Sequence, residues 1–92
     1  MDLRKLARDQ HCQVRLPGIC NFDKATTVLA HYRLVGYSGA GLKPPDDMGA
    51  FCCSSCHDAV DFRVQTRLPR AEVRLAHAEG VLRTQQLVKG MT

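Results

Sequence analysis

The strongest periodic signal lies in the last third of the chain. Over residues 70–89, apolar side chains recur at spacings of three and four, which predicts a long amphipathic helix. Gly80 should weaken this helix locally, and Gly90 suits its C-terminal end. Such a stripe usually packs on its own domain, and in a small protein it can also serve a dimer. The residues expected on the buried face are Ala71, Leu75, Ala78, Val81, Leu82 and Val88.

Shorter elements are predicted upstream. Residues 2–9 carry apolar positions at helical spacing and should form a short helix whose basic residues face solvent. Residues 26–34 are rich in β-branched and apolar side chains, which predicts a strand with His31 near its end. Residues 36–41 read as a glycine-rich loop, and the two prolines within residues 43–47 should stop any regular element.

Chain length and composition favour one small domain that needs a cross-link, such as a metal site, in addition to its hydrophobic core. The chain has 92 residues, 5% aromatic residues and no Trp. A chain of this size buries a modest fraction of its surface, and few large side chains are available to offset the cost of ordering the backbone. No apolar stretch approaches the ~20 residues of a membrane-spanning helix, so we expect a soluble protein without a membrane partner.

The five cysteines favour a metal site over disulfides. The charged N-terminus lacks the apolar region of a signal peptide, so we expect a cytoplasmic protein with reduced thiols. Cys53 and Cys56 form a C-x2-C knuckle, and the Pro-Gly turn between Cys12 and Cys20 can bring those two thiols to the same ion. We therefore predict a structural zinc on these four cysteines, with Cys52 as a small buried hydrophobe.

Charge suggests a nucleic-acid partner. Thirteen Lys and Arg against nine Asp and Glu give a net charge of +4, and most of the cations are arginines, whose planar fork suits phosphate. A cluster between the knuckle and the long helix could contact phosphates or could be a solvated basic face. Its members are Arg63, Arg67, Arg70 and Arg74.

Two histidines stand where phosphodiester chemistry could use them. A helix is predicted to begin around Cys56 and to run to residue 63, with His57 and Asp61 on one face. Hydrolysis needs a base for water and a divalent cation for the leaving oxygen, and His31 and His57 can supply the base and a ligand. His31 could instead be a core histidine bonded to a backbone carbonyl, and His57 could ligate the structural zinc in place of Cys12 or Cys20. His11 and His77 are expected to be structural or surface residues, with His77 beside solvent-facing positions.

The segments His11-Cys-Gln-Val-Arg-Leu-Pro-Gly-Ile-Cys-Asn21, Val28-Leu-Ala-His31, Lys43-Pro-Pro-Asp46 and Cys53-Ser-Ser-Cys56-His57-Asp58 together resemble the prophage-encoded YbcO-like nucleases. This family resembles the HNH, or His-Me finger, endonuclease superfamily, and the likeness spans nearly the whole chain. The resemblance implies an α+β fold with a zinc-stapled, treble-clef-like ββα-metal core, a short N-terminal helix and a long C-terminal helix.

The resemblance also implies roles for single residues. His31 takes the position of the general base, and His57 that of the ligand of a catalytic magnesium or manganese ion. Asp46 or Asp47 stands nearest to the middle Asn that orients the base in the HNH pattern, and Asp46 is favoured. Ala30 replaces an acidic or His ligand found there in many such enzymes, so metal binding would need Asp46 or one of Asp58 and Asp61.

Two functions follow as hypotheses, and a third is disfavoured. The first is a metal-dependent endonuclease acting on DNA, and the second is a zinc-dependent nucleic-acid or protein-binding module without catalysis, which Ala30 and the missing Asn favour. A Cys-His hydrolase would need a nucleophilic thiolate, but metal binding already accounts for the cysteine spacings.

Overall fold

Helices flank a two-stranded antiparallel sheet in the computed structural model, which describes residues 2–34 and 44–91. Val28 pairs with Cys52 at one end of the sheet and His31 with Gly49 at the other. The mixed helix and strand content confirms the predicted α+β class. The elements are α1 (Leu3–Leu6), β1 (Val28–His31), β2 (Gly49–Cys52), α2 (Ser54–Val60) and α3 (Arg70–Gly90).

The first helix and the first strand are both shorter than predicted. The Asp2 carboxylate caps α1 by accepting the backbone N–H groups of Arg4 and Lys5, but the helix ends at Leu6 and Asp9 takes a left-handed conformation with φ 64°. Residues 24–26 form a 3₁₀ turn instead of extending β1, because the Asp23 carboxylate accepts the N–H of residue 25. The predicted loop over residues 36–41 and the residue at position 43 lie outside the described part of the chain.

The knuckle helix begins two residues earlier than predicted. Cys53 is the N-cap of α2, and its sulfur accepts the N–H of Cys56 at 3.4 Å. The helix ends at Val60 rather than at residue 63, and Phe62 lies beyond it with φ 56°. A left-handed residue at this position turns the chain away from the helix axis.

The predicted extent of α3 is confirmed, but its predicted buried face is right only for Val81 and for Val88, which packs against the smaller core cluster. Ala71 is exposed, and Leu75 and Leu82 are 60% and 62% exposed, although Val81 is buried as expected. The buried side of the helix is formed by Val73, His77, Gly80, Val81 and Thr84. The helix is therefore rotated so that two polar residues and a glycine meet the rest of the protein.

Hydrogen bonds to the strands explain this rotation. The His77 ring bonds the Ala30 carbonyl oxygen through Nε2 at 2.9 Å. The Phe51 N–H donates to the Thr84 hydroxyl at 3.0 Å, and the Phe51 carbonyl accepts the Gln13 N–H at 2.7 Å. Because buried backbone groups need partners, these contacts hold α3 and the loop of residues 12–20, which we call the cysteine loop, against the sheet.

The core has two parts on either side of the sheet. The larger cluster contains the buried cysteines together with Val14, Leu16, Val60 and Val73. The smaller one joins Phe51 and Leu29 to the apolar side of α1. No helix in residues 2–34 and 44–91 has the length and apolarity to cross a bilayer.

Candidate functional site

Four cysteine sulfurs converge at one point, as the sequence predicts. The sulfurs of Cys12, Cys20, Cys53 and Cys56 all lie within 4.8 Å of one another. Zinc–thiolate bonds of about 2.3 Å in a tetrahedron place sulfurs about 3.8 Å apart. The separation of the Cys20 and Cys53 sulfurs is 3.8 Å. This group therefore fits a metal ion such as zinc.

Local backbone geometry brings the first two of these cysteines together. Residues 16–20 make the predicted turn, in which the Leu16 carbonyl accepts the N–H groups of Ile19 and Cys20. Gly18 has φ 71°, a conformation that glycine adopts without a steric cost. The Arg15 N–H donates to the Cys12 sulfur at 3.4 Å, which directs that sulfur toward the knuckle.

Cys52 lies close enough to the cysteine group to shift the pKa of one of its thiols. Hydrogen bonding from Cys52, followed by that from Cys56, lowers the pKa of Cys12. Donation to Cys12 correspondingly raises the pKa of Cys52, and burial raises the pKa of Cys20 to about 11. A bound cation would favour the thiolate form of all four ligands. Cys52 is fully buried and is not a member of the four-sulfur group.

His31 is paired with a carboxylate rather than with a backbone carbonyl. Its Nε2 lies 2.7 Å from Oδ1 of Asp46, which follows the proline pair just before β2. This hydrogen bond is the main cause that lowers the pKa of Asp46, and the charge of Arg4, whose Nε lies 3.6 Å from the same oxygen, lowers it further. The His31 side chain is only 20% exposed, so it presents one edge to solvent.

His57 is paired with a second carboxylate on α2. Its Nε2 lies 3.2 Å from Oδ2 of Asp61, one helical turn later, as their spacing predicts. Arg63 bonds the same oxygen at 3.0 Å and reaches Asp58 at 3.4 Å. His57 is not a member of the four-sulfur group, although it directly follows Cys56.

The two histidines line one cavity of about 510 Å³. Sequence reasoning did not select the three arginines Arg4, Arg8 and Arg33, which also line it. The first two lie four residues apart at the N-terminus, a spacing that could have indicated a shared face, whereas nothing in the sequence connects Arg33 with them. The cavity is therefore a cationic cleft whose wall carries two histidines, each paired with a carboxylate, and we refer to it as the histidine cleft.

Three of the four predicted phosphate-binding arginines line a second cavity of about 370 Å³ beside the histidine cleft. The Arg74 guanidinium donates to the Tyr32 hydroxyl at 3.0 Å and to the Arg33 carbonyl at 3.2 Å. Arg70 places its guanidinium 4.0 Å from the centre of the Phe62 ring. Arg63 is the third member, and Arg67 does not line the cavity.

The other histidines and Ala30 have structural positions. His77 is buried rather than beside solvent-facing positions, because its ring meets Tyr32 edge to face and bonds the Ala30 carbonyl. Burial lowers the pKa of His77 and so favours its neutral form. Ala30 is buried and has no side-chain ligand atom. His11 is exposed and lies beside the cysteine loop with Arg15 and Phe22.

Comparison with known proteins gives consistent matches over nearly the whole chain. The family model described as "Putative nuclease YbcO" matches residues 1–92. "Putative nuclease YbcO" of Escherichia coli (strain K12) is 48% identical over 84 residues, which cover 91% of this chain and 86% of that protein. "Putative nuclease ybcO" of Enterobacteria phage 82 matches with the same identity and coverage. A solved structure of a "putative bacteriophage protein" from Escherichia coli str. K-12 substr. MG1655 has a TM-score of 0.78 and 40% identity, covering 97% of this chain and all of that one.

Proposed function

The chain belongs to the YbcO family, whose relatives carry the name of nuclease, and we propose that it is a metal-dependent endonuclease that hydrolyses phosphodiester bonds in DNA. The observation that carries this proposal is that two histidines line one arginine-rich cleft, His31 paired with Asp46 and His57 paired with Asp61. The order of β1, β2 and α2 behind the cysteine group supports an HNH-type ββα-metal core stapled by zinc.

His31 acts as the general base. When its Nε2 carries the proton that is shared with Asp46, the lone pair of the neutral ring lies on Nδ1 and can accept a proton from water. Asp46 holds the ring in this tautomer and stabilises the imidazolium that forms, as a carboxylate does beside other catalytic histidines. Asp46 is therefore a positioning residue that takes the place of the HNH Asn.

His57 and Asp61 are the chain's nearest candidates for binding a catalytic divalent cation, with Asp58 beside them. A bound magnesium or manganese ion would stabilise the charge that develops on the leaving oxygen. Because Ala30 offers no ligand atom, the carboxylate of Asp61 supplies the charge that such a hard cation prefers. Arg63, which bonds that carboxylate in the structure, orients it.

The remaining cleft arginines hold the phosphate backbone. Arg4, Arg8 and Arg33 surround the two histidines, and a guanidinium can bind phosphate oxygens through two parallel hydrogen bonds. Arg4 lies beside Asp46, so substrate binding and positioning of the base meet at one place. The cleft therefore favours a polyanionic substrate.

Nicking of supercoiled plasmid by the zinc-loaded protein tests the proposal, with magnesium or manganese added. We expect His31→Ala to lower the rate by about 10²–10⁴-fold, the usual contribution of a general base. Asp46→Asn should also lower the rate, because an amide neither fixes the His31 tautomer nor stabilises the imidazolium as a carboxylate does. His11→Ala is the matched control, since this exposed histidine lies outside the cleft. Equal nicking by the His31→Ala and His11→Ala proteins would contradict the role of His31.

A second candidate function is a zinc-dependent binding module without catalysis. One argument for it is Ala30, which offers no ligand atom. The other concerns metal sites within residues 2–34 and 44–91. There, the four cysteines form the one group of three or more His, Cys, Asp or Glu whose ligand atoms lie close enough for a metal. Salt-sensitive DNA binding without nicking under any divalent cation would support this alternative over the nuclease.

A further inference from the structure

We propose that the second cavity, beside the histidine cleft, binds one unpaired nucleotide, so that the substrate is single-stranded next to the cleaved bond. This inference rests on the proposed nuclease function and specifies its substrate class. We call the cavity the nucleotide pocket and define it by Val60, Phe62, Arg70 and Arg74 together with the wall it shares with the cleft.

The position of the pocket places its ligand next to the reacting phosphate. His31, Arg33, Asp61 and Arg63 line both the nucleotide pocket and the histidine cleft. The two cavities are therefore parts of one continuous groove. A chain whose phosphate lies at His31 would extend its neighbouring nucleotide into the pocket.

The pocket combines positive charge with an apolar surface, which suits a nucleotide because a nucleotide carries both a phosphate and a flat base. Four arginines, at positions 33, 63, 70 and 74, supply positive charge, whereas Val60 and Phe62 supply an apolar surface. Asp61 is the carboxylate in the wall, and the Arg63 guanidinium, 3.0 Å from its Oδ2, offsets its charge. The volume of about 370 Å³ accommodates a flat base with its phosphate.

Phe62 and Arg70 form a stacking surface. Phe62 has φ 56°, an unfavourable conformation for a residue with a side chain, and the residue is 39% exposed. The Arg70 guanidinium lies 4.0 Å from the ring centre. Unstacked bases are commonly bound on aromatic rings and on guanidinium planes, so this pair offers both kinds of partner.

Arg74 is held ready for a phosphate or a base edge. Its guanidinium is positioned by the Tyr32 hydroxyl and the Arg33 carbonyl, and it lies 4.8 Å from the centre of the Tyr32 ring. These bonds fix the side chain before a ligand arrives, which reduces the entropy lost on binding. His77 closes the wall behind it as a neutral ring.

The shape of the ligand follows from these contacts. In a duplex the base faces are stacked on their neighbours and the base edges are paired, so a base cannot lie against Phe62 unless it leaves the helix. A single strand offers its bases at no such cost, and its phosphates remain available to the arginines. A single strand, a flap, a splayed end or a locally unpaired stretch of supercoiled plasmid therefore fits the pocket, whereas a relaxed duplex does not.

Binding measured without turnover tests the pocket separately from the chemistry. The zinc-loaded full chain carrying His31→Ala is titrated, by fluorescence anisotropy, into a labelled single-stranded DNA oligonucleotide and into its duplex. We expect tighter binding to the single strand. Adding Phe62→Leu should weaken single-strand binding about tenfold, the loss of one stacked base, and leave duplex binding unchanged.

Two matched controls come from the same chain. Phe22 is also an exposed, left-handed phenylalanine, but it lies by the cysteine loop, so Phe22→Leu should leave both affinities unchanged. Arg70→Ala should weaken single-strand binding more than Arg67→Ala, which removes the same charge outside the pocket. Zinc content and circular dichroism of each variant establish that it is folded.

The outcomes separate the two proposals. Equal affinity for the single strand and the duplex, or equal effects of Phe62→Leu and Phe22→Leu, would overturn the pocket even if the wild-type protein nicks plasmid. A preference for single strands that depends on Phe62 would support the pocket even if no cleavage is seen, and in that case the nuclease function would be the part that fails.

Discussion

The effect of Gly80→Ala on stability has opposite signs when it is predicted from helix propensity and when it is predicted from tertiary packing. Considered as part of an isolated helix, Gly80 is a defect, and alanine should stabilise α3 by about 1 kcal/mol. In the folded protein this glycine is buried where α3 crosses the cysteine loop. A Cβ built there would lie 2.9 Å from Cγ2 of Val14. The structure therefore predicts that alanine destabilises the protein.

The size of the effect follows from which atoms would have to move. Besides the Val14 methyl group, the new Cβ would lie 3.2 Å from the Gln13 carbonyl oxygen and 3.2 Å from the Val14 Cα. These are backbone atoms, and Arg83 holds that carbonyl with hydrogen bonds of 2.9 and 2.6 Å. Overpacking of this kind costs about 1–3 kcal/mol. After the gain in helix propensity, we expect a net loss of about 1 kcal/mol in the free energy of unfolding.

Urea unfolding of the zinc-loaded protein, followed by circular dichroism, measures this difference. Gly90→Ala is the control, because Gly90 ends the same helix and a Cβ there would have nothing within 4 Å. The control should keep or slightly raise the urea midpoint, whereas Gly80→Ala should lower it. If Gly80→Ala were as stable as Gly90→Ala, the close contact between α3 and the cysteine loop would not exist as described.

Three further predictions concern the metal, a buried hydroxyl and a buried histidine. Removal of the metal with a chelator, or Cys56→Ser, should abolish the cooperative unfolding that circular dichroism follows, because the ion would hold the cysteine loop to α2. Cys52→Ala should retain one zinc per chain by elemental analysis, and loss of zinc from this variant would make Cys52 a ligand. Thr84→Val should lower the free energy of unfolding by about 1–3 kcal/mol in urea, because it leaves the buried Phe51 N–H without an acceptor; an unchanged midpoint would contradict that bond. Burial lowers the pKa of His77 below its ordinary 6.5, so as the pH falls below that value the unfolded chain binds a proton that the folded chain does not. The free energy of unfolding should therefore decrease with falling pH. Once the pH is below the folded pKa, the loss is about 1.4 kcal/mol for each pH unit that separates the unfolded and folded pKa of His77. The urea midpoints of His77→Gln should lack this part of the pH dependence.

Local chemistry was predictable from the sequence. A Pro-Gly turn between Cys12 and Cys20, and a C-x2-C knuckle at the start of a helix, specify their geometry over a few residues each. The structure bears out the convergence of the four sulfurs, the extent of α3 and the spacing of His57 and Asp61. In each case the determining interactions lie close together in the sequence or depend on a tetrahedral ligand set.

Pairings between distant segments were only partly predictable. Asp46 was chosen as the partner of His31 through a family resemblance, and the two residues meet because β1 and β2 pair antiparallel and bring the start of β2 to the end of β1. Nothing local indicated that Arg33 would share a cleft with Arg4 and Arg8. Such neighbours depend on strand register and on helix placement, which hydrophobic periodicity alone does not determine.

The orientation of α3 shows the limit most clearly. Counting apolar side chains selects a face containing Leu75 and Leu82, since it treats every polar residue as solvent-exposed. The folded protein instead buries His77, Gly80 and Thr84. Two of these satisfy backbone groups of the sheet, and the third lets the cysteine loop approach closely. Apolar spacing and helix propensity are enough to predict that a helix forms and where it ends. Hydrogen bonds to the sheet orient one side of it inward, because a buried backbone group without a partner costs more than an exposed leucine.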